Sequence, residues 1–387
     1  MSSIDILTQD LITQILVKLP VKTLLCCKSV SKPWLSLISS SDFIISHLKH
    51  TVTNPGGADQ AFIVHEYDDY SMYSLNLDAP QPKAPLGFPY SQGDYPFEPD
   101  YKIVGSYNGI VCVSISNCER ERKLIDFDWF CNSSYYRNNP STYIWNPATK
   151  QSKLVPPHNI RENVKSLSFG FGFDVKGNDF KVLRVISSFD EPFCAEVYSA
   201  NANVWRKIDP RPTDYPEYDE FDVCVNGFLC CEGLYGMMAF DLHKEVFTCG
   251  IHPLPARSFN STFIDFKGSI GIITSKGYES NAYNLWTLDD EACLHGGGVN
   301  ASWTPRLSID VDYPSPYPPH VYGCFDSGEF LLCAGSGTYL LQNSNNKEPR
   351  NVPLLNTIGR RLIKYNGSMV SITGSKQVHW NAQENDI

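Results

Sequence analysis

Residues 105–113 read GSYNGIVCV, in which an Asn108–Gly109 pair separates one short run from a second that is almost wholly apolar. Asn-Gly in that setting is the strongest hairpin signal a single sequence offers, because both residues accept the positive φ of a tight turn. The device recurs at Lys176–Gly177, Asn226–Gly227, Lys267–Gly268, Ser327–Gly328 and Asn366–Gly367. The runs that follow are FKVLRVI, FLCCEG, SIGIIT, EFLLCAG and SMVSIT, and successive glycines stand 68, 50, 41, 60 and 39 residues apart. Between hairpins lies a second, aromatic-rich strand pair around a short polar turn, at 142–155, 195–208, 237–250, 283–309 and 338–354. Each period therefore reads as a four-stranded antiparallel sheet, close to the 40–50 residues of a propeller blade once insertions are allowed.

The ends of the array complement each other. The last hairpin, RLIKYNGSMVSIT at 361–373, lacks an outer pair, while FIVHEY at 62–67 and SMYSLNL at 71–77 form an outer pair without a hairpin. Together they predict one composite blade, and with five complete ones a six-bladed β-propeller closed by strands from both ends. Closure hides sheet edges that would otherwise invite aggregation. A twisted β-sandwich, or two stacked sheets, is the competing architecture.

Upstream of TNPGGADQ at 53–60 the periodicity is helical rather than alternating. Residues 9–19, QDLITQILVKL, place Leu11, Ile12, Ile15, Leu16 and Leu19 on one stripe, with Thr8 as N-cap and Pro20 as stop. A second short helix over 21–28 carries Val21, Leu24 and Leu25. A third over 32–39 starts at Pro33 and shows Trp34, Leu37 and Ile38, and a fourth opens at Asp42. So many short amphipathic helices in fifty residues cannot hide all their apolar faces among themselves. The division predicted is a helical head at 1–50, a linker at 51–60, a mainly β domain at 61–375 and a flexible tail at 376–387.

Residues 7–45, LTQDLITQILVKLPVKTLLCCKSVSKPWLSLISSSDFI, resemble the F-box, with Leu, Pro and Trp at its spacings. Two positions depart from it: Thr8 stands where Pro is usual, and Cys26 or Cys27 where Arg is frequent. The resemblance implies that Leu7, Leu11, Ile12, Ile15, Leu19, Pro20, Val21 and Leu24 contact a Skp-type adaptor and, through it, a cullin. A second resemblance covers nearly all of 100–375. GSYNGIVCV, YIWNPATKQSKLVP at 143–156, FGFGFDVKGNDFKVLRV at 169–185, AEVYSANANVWRKI at 195–208 and NGFLCCEG with AFDLHKEVF at 226–247 look like the plant F-box-associated, kelch-related interaction domain. That family includes pollen S-locus and defence-regulating F-box proteins. It implies a substrate receptor of a Skp-cullin-F-box ubiquitin ligase, itself non-catalytic.

Charge agrees with a division of labour. Five Lys against three Asp make residues 1–50 basic, whereas the whole chain has a formal net charge of −10. An acidic body argues against nucleic acid and for a target with a basic patch. In a propeller the tight turns lie at one face and the remaining connections at the other. Those remaining connections are long here, at 78–100, 116–140, 209–222 and 310–322, and rich in Tyr, Phe, Pro and Asp. Tyr90, Tyr95, Phe97, Trp129, Tyr135, Tyr215, Tyr218 and Tyr317 are the candidate target anchors. The linker is expected to enter from that same face, setting the head beside the target.

No catalytic constellation assembles: GxSxG, HExxH and GxxxxGK[ST] are missing and the nine His are dispersed. Thirteen Cys without a CxxC or a signal peptide read as reduced thiols, with no structural metal and no cofactor. No apolar run approaches a membrane span. The expected compartment is the cytoplasm, with the nucleus as a second. Two alternatives keep the fold but change the role: an interaction scaffold outside any ligase, or a propeller binding a glycan or small molecule in its channel.

Overall fold

The computed structural model describes residues 8–53, 60–65, 72–75, 83–87, 100–116, 140–157, 164–188, 193–209, 212–216, 221, 223–255, 261–275, 277, 280–312, 319–334, 338–344, 349–352, 363–374 and 376–377. Helix α1 (Gln9–Leu16) starts at its sequence cap: Thr8 is extended and its Oγ accepts from the Leu11 N–H at 3.5 Å. Helix α2 (Val21–Cys27) begins directly after Pro20. Helix α3 (Lys32–Ser39) is capped by Ser31, whose Oγ accepts from the Trp34 N–H at 3.4 Å, with Pro33 in its first turn. Helix α4 (Ser41–Thr53) runs into the expected linker. Leu16, Val21, Leu24, Ile38 and Phe43 form the core of the head. His47 Nε2 lies 2.9 Å from the Leu19 carbonyl oxygen, joining α4 to the end of the first helical segment.

The strands, in chain order, are β1 (Gln60–His65), β2 (Met72–Leu75), β3 (Lys83–Pro85), β4 (Asp100–Tyr107), β5 (Ile110–Ser116), β6 (Ser141–Asn146), β7 (Gln151–Leu154), β8 (Val164–Asp174), β9 (Asp179–Ser188), β10 (Cys194–Ser199), β11 (Val204–Lys207), β12 (Val223–Val225), β13 (Phe228–Gly233), β14 (Gly236–Asp241), β15 (Val246–Ile251), β16 (Thr262–Phe266), β17 (Ser269–Ser275), β18 (Ala282–Leu288), β19 (Trp303–Asp310), β20 (His320–Cys324), β21 (Glu329–Ala334), β22 (Thr338–Asn343), β23 (Arg350–Asn351), β24 (Ile363–Asn366) and β25 (Lys376–Gln377). Five blades each take four consecutive strands: β4–β7, β8–β11, β12–β15, β16–β19 and β20–β23. A further sheet draws on both ends of the chain, in the order β24-β1-β2-β3. All these pairings are antiparallel.

The position of the core rules out a sandwich. Each hydrophobic cluster of the β domain lies between two neighbouring sheets, not inside one shared layer. Ile110 and Cys112 face the β8–β11 blade with Leu167 and Val182, while Val111, Val113 and Ile115 face the composite sheet with Ile363 and Tyr365. Alternate residues of β5 thus serve two different interfaces, so the strand must carry apolar residues on both faces. The other neighbouring blades share Leu183 with Phe240, Cys230 with Ile272, and Phe266 with Phe330 in the same way. From the β20–β23 blade to the composite sheet the link is ionic, Lys364 Nζ to Asp326 Oδ2 at 2.8 Å.

The turns carry two recurring designs. Asn108–Gly109, Asn226–Gly227 and Lys267–Gly268 have positive φ at both residues, 50° and 76°, 50° and 84°, 53° and 80°. At the outer pairs a side-chain oxygen caps the turn instead. Asn146 Oδ1 accepts from the N–H of Ala148 and Thr149, Ser199 Oγ from that of Ala202, and Asp241 Oδ1 from those of His243 and Lys244. Four residues on, Lys150, Asn203 and Glu245 each take φ 57°.

Four expectations are corrected. Asn366–Gly367 is no hairpin, because β24 stops at Asn366 and residues 367–372 form no strand. The composite sheet therefore takes one strand from the C-terminal side and three from the N-terminal side, with β1 and β2 in its middle. At 175–178 the positive φ falls on Asn178 rather than Gly177, since the turn has four residues and the Asp174 carboxylate accepts from the Gly177 N–H at 2.8 Å. The tail is not free from residue 376, because β25 pairs with β7.

Candidate functional site

The head leaves an apolar surface. Leu11 and Ile15, one helical turn apart on α1, are 46% and 52% exposed. Ile12, Leu19 and Pro20 are half-buried, and Leu7 lies outside the described residues. Val21 and Leu24 correct the expected contact set: at 2% and 0% exposure they are core, because the turn at Pro20 folds α2 back with these residues inward. Val30, Leu35 and Ile45 are exposed as well, and the helical stripes did not mark them. Their signal was that very misfit: Leu35 and Ile45 are large apolar residues outside the inward sets of α3 and α4, and Val30 stands in the turn between α2 and α3. Burying a Leu or Ile yields roughly 1.5–3 kcal/mol, so this patch offers a partner considerable free energy.

The head is seated on the β domain. Met369 is 4% exposed within the helical core, and Ala148 packs against that core. Both are held by one side chain, the fully buried Asn146 of the IWNPATK stretch. Its Nδ2 donates to the carbonyls of Ser368 at 3.0 Å and Val370 at 2.8 Å, and its Oδ1 accepts from Ala148 at 3.0 Å and Thr149 at 3.2 Å. Gly109 packs against the same segment, where a Cβ would collide with the Asn366 carbonyl and Ser368.

This seat lies at the tight-turn face. The antiparallel order also brings the chain into β1 from that face, since Gln60 pairs with Asn366 at the end of β24. The expectation of a head beside the long connections came from treating β1 as an outer strand, and it is corrected: the head sits at the tight-turn ends of the strands, opposite the strand ends at Ser116 and Ser141. The tight-turn face carries a charge network too. Lys181 Nζ lies 3.1 Å from Asp174 Oδ2 and 2.9 Å from Glu245 Oε1, and it donates to the Leu242 carbonyl; Arg206 pairs with Glu245 and His243 with Asp174. Burial pushes the Asp174 carboxyl up, but the Gly177 N–H, Lys181 and His243 together bring it below the ordinary carboxylate value. Near the axis, burial, with Cys224 and Asp265 adding, raises the Tyr107 hydroxyl to about 12.

At the opposite face, Tyr215 is the one candidate anchor among the described residues, and it is corrected. It is 8% exposed, its hydroxyl accepts from Ser168 Oγ at 2.9 Å and its ring tilts against Phe193 at 5.1 Å, so it supports the connection from within. Tyr90, Tyr95, Phe97, Trp129, Tyr135, Tyr218 and Tyr317 lie outside the described residues. Leu234 and Tyr235, between β13 and β14, are exposed at this end and were missed, although an aliphatic–aromatic pair set between two glycines in GLYG was legible. Among the described residues no group of three or more His, Cys, Asp or Glu could hold a metal, and no helix is long and apolar enough to cross a membrane.

A family model described as F-box domain matches residues 4–46, and one described as F-box associated beta propeller domain matches residues 78–335. The chain belongs to the F-box proteins with an F-box-associated β-propeller. Its relatives agree. The Arabidopsis thaliana F-box protein At1g46984 is 28% identical over 293 residues, 73% of this chain and 70% of that one. F-box protein At5g07610 of the same plant is 27% identical over 328 residues, 78% of this chain and 70% of that one. F-box protein CPR1, also of A. thaliana, is 30% identical over 215 residues, 52% of this chain and 44% of that one. Among solved structures, TolB from Acinetobacter baumannii aligns with a TM-score of 0.40 and 11% identity, over 84% of this chain and 70% of that one. In this F-box protein, then, the apolar patch of α1 belongs to the F-box, and the face beyond the seat to its associated domain.

Proposed function

We propose that this F-box protein is the substrate-recognition subunit of a Skp-cullin-F-box ubiquitin ligase: the head docks a Skp-type adaptor through Leu11, Ile15 and the half-buried Ile12, Leu19 and Pro20, and the β domain captures a protein target. The observation that carries this is an exposed apolar patch on a head whose core is locked to the β domain by Met369 and Ala148. A rigid seat fixes the distance between adaptor and target, which is what a receptor must set for transfer by its partner subunits. We read the β domain as five complete propeller blades, one fewer than the six expected, with the composite sheet of β24 and β1–β3 beside them; the Lys364–Asp326 pair joins that sheet to the β20–β23 blade. Domain limits follow as a head over 1–50 and a capture domain over 61–375. The compartment favoured is the cytoplasm, with access to the nucleus. The pathway favoured is pollen self-incompatibility or defence regulation, on the resemblance of the β domain to receptors of those two kinds.

The test is co-purification of the full chain with a Skp-type adaptor. Wild type should bind, and Leu11→Asp with Ile15→Asp should lose binding by at least about a hundredfold, as expected when two apolar anchors are replaced by desolvated charges. An intact chain that ignores the adaptor would refute the reading and leave a scaffold outside any ligase.

A further inference from the structure

The turn between β13 and β14 is two residues long, Leu234–Tyr235, and lies at the end of the β domain away from the head. Leu234 is 58% and Tyr235 66% exposed, the only consecutive pair of exposed large apolar side chains among the described residues. Single exposed apolar residues are ordinary on a protein surface, but two together on a braced turn require an explanation.

The bracing is specific. The Asp214 carboxylate, 1% exposed, accepts from the N–H of Leu234 at 3.1 Å, of Tyr235 at 3.3 Å and of Tyr215 at 2.8 Å. The Leu234 N–H also reaches the Tyr215 carbonyl at 3.3 Å, and Pro216 bridges to Gly233. Both flanking glycines are needed for this approach. A Cβ on Gly233 would collide with the Asp214 carboxylate, and one on Gly236, at φ 135°, with the His252 ring. A buried carboxylate thus fixes the backbone of a turn whose own side chains stay exposed.

Asp214 belongs to the connection at 209–222, which holds six carboxylates, Asp209, Asp214, Glu217, Asp219, Glu220 and Asp222, against the one cation Arg211. A pre-ordered aromatic–aliphatic pair lowers the ordering cost of binding. Pro216, which bridges to Gly233, is followed in the sequence by Glu217, Asp219, Glu220 and Asp222, and a run of that charge favours a cationic partner. We infer that Leu234–Tyr235 is the anchor with which this face takes its target, and that the segment taken is a basic stretch of protein with an apolar residue set among Lys or Arg. The inference rests on the receptor reading above only for the statement that the bound protein is a ligase target.

To test it, the full chain, with and without its Skp-type adaptor, is panned against a random-peptide library, and the enriched peptides are titrated by fluorescence anisotropy. Enriched peptides should combine cations with an apolar residue, and L234S/Y235S should weaken them by at least about tenfold while leaving adaptor binding unchanged. Binding should also weaken from low to high salt. No enrichment, enriched peptides without cations, or equal affinity for the double variant would each overturn the inference. So would light scattering that shows a wild-type dimer broken by the same variant, because the pair would then be a contact between copies. If the peptides behave as expected while the adaptor does not bind, the receptor reading falls and this anchor stands.

Discussion

Replacing Asn146 by Ala tests whether one amide holds the head's seat together. The side chain is fully buried and makes four hydrogen bonds, two given to Ser368 and Val370 and two taken from Ala148 and Thr149. At roughly 0.5–1.5 kcal/mol for each net bond, with partly buried partners able to regain water, the loss comes to about 2–4 kcal/mol. It should be local, because the bonds tie the 146–149 turn to the 367–372 segment and Met369 leads from there into the head. Hydrogen exchange is therefore the assay: the Ala148 and Thr149 amides should exchange at least about thirtyfold faster, and the protection of α1 and α2 should fall with them. Asn146→Asp is the sharper variant, since it keeps the oxygen that accepts from Ala148 and Thr149 but sets a second carboxylate oxygen against the Ser368 and Val370 carbonyls. Asp241→Ala is the control, because Asp241 caps the equivalent turn through the N–H of His243 and Lys244. If Asn146→Ala and Asp241→Ala had the same effect on the protection of the head, the tether would be no more than a turn cap and the reasoning would fail.

Two further outcomes separate core from surface and one charge state from another. Leu24→Ala should cost about 2–5 kcal/mol in urea unfolding of the head, as for a fully buried leucine, whereas Leu11→Ala should leave unfolding within about 0.5 kcal/mol of wild type and weaken adaptor binding instead. Asp174 titrates below its ordinary value when folded, so its contribution is present above the unfolded carboxylate value, near about 3.9, and is lost as pH falls through the folded one. The urea midpoint of the wild type should accordingly drop on acidification below about pH 4. Asp174→Asn should begin about 3 kcal/mol lower at neutral pH and lose that part of the acid slope, since Glu245 is then the one carboxylate paired with Lys181.

The sequence by itself determined whatever is decided within a few residues. Thr8 and Ser31 had to cap helices, Pro20 had to end one, and Asn108–Gly109, Asn226–Gly227 and Lys267–Gly268 had to turn, because backbone dihedrals and cap hydrogen bonds are local. Continuous apolar runs such as IVCVSI announced strands covered on both faces. Tertiary structure alone decided where equal local signals diverge. Asn366–Gly367 carries the same dipeptide as Asn108–Gly109, yet the chain beyond it gives its carbonyls to Asn146, a residue 222 positions away in sequence from Ser368. Val21 and Leu24 looked as available as Leu11 and Ile15 until the Pro20 turn put them inside. Nothing local distinguished Tyr215, in the acidic connection, from Tyr235, in the GLYG turn, as the surface residue; the fold left the first buried and the second exposed, with Asp214 bonded to the backbone of both. Periodicity states that a face is apolar; which surface covers it depends on contacts made by residues far along the chain, and those exist only once the ring has formed.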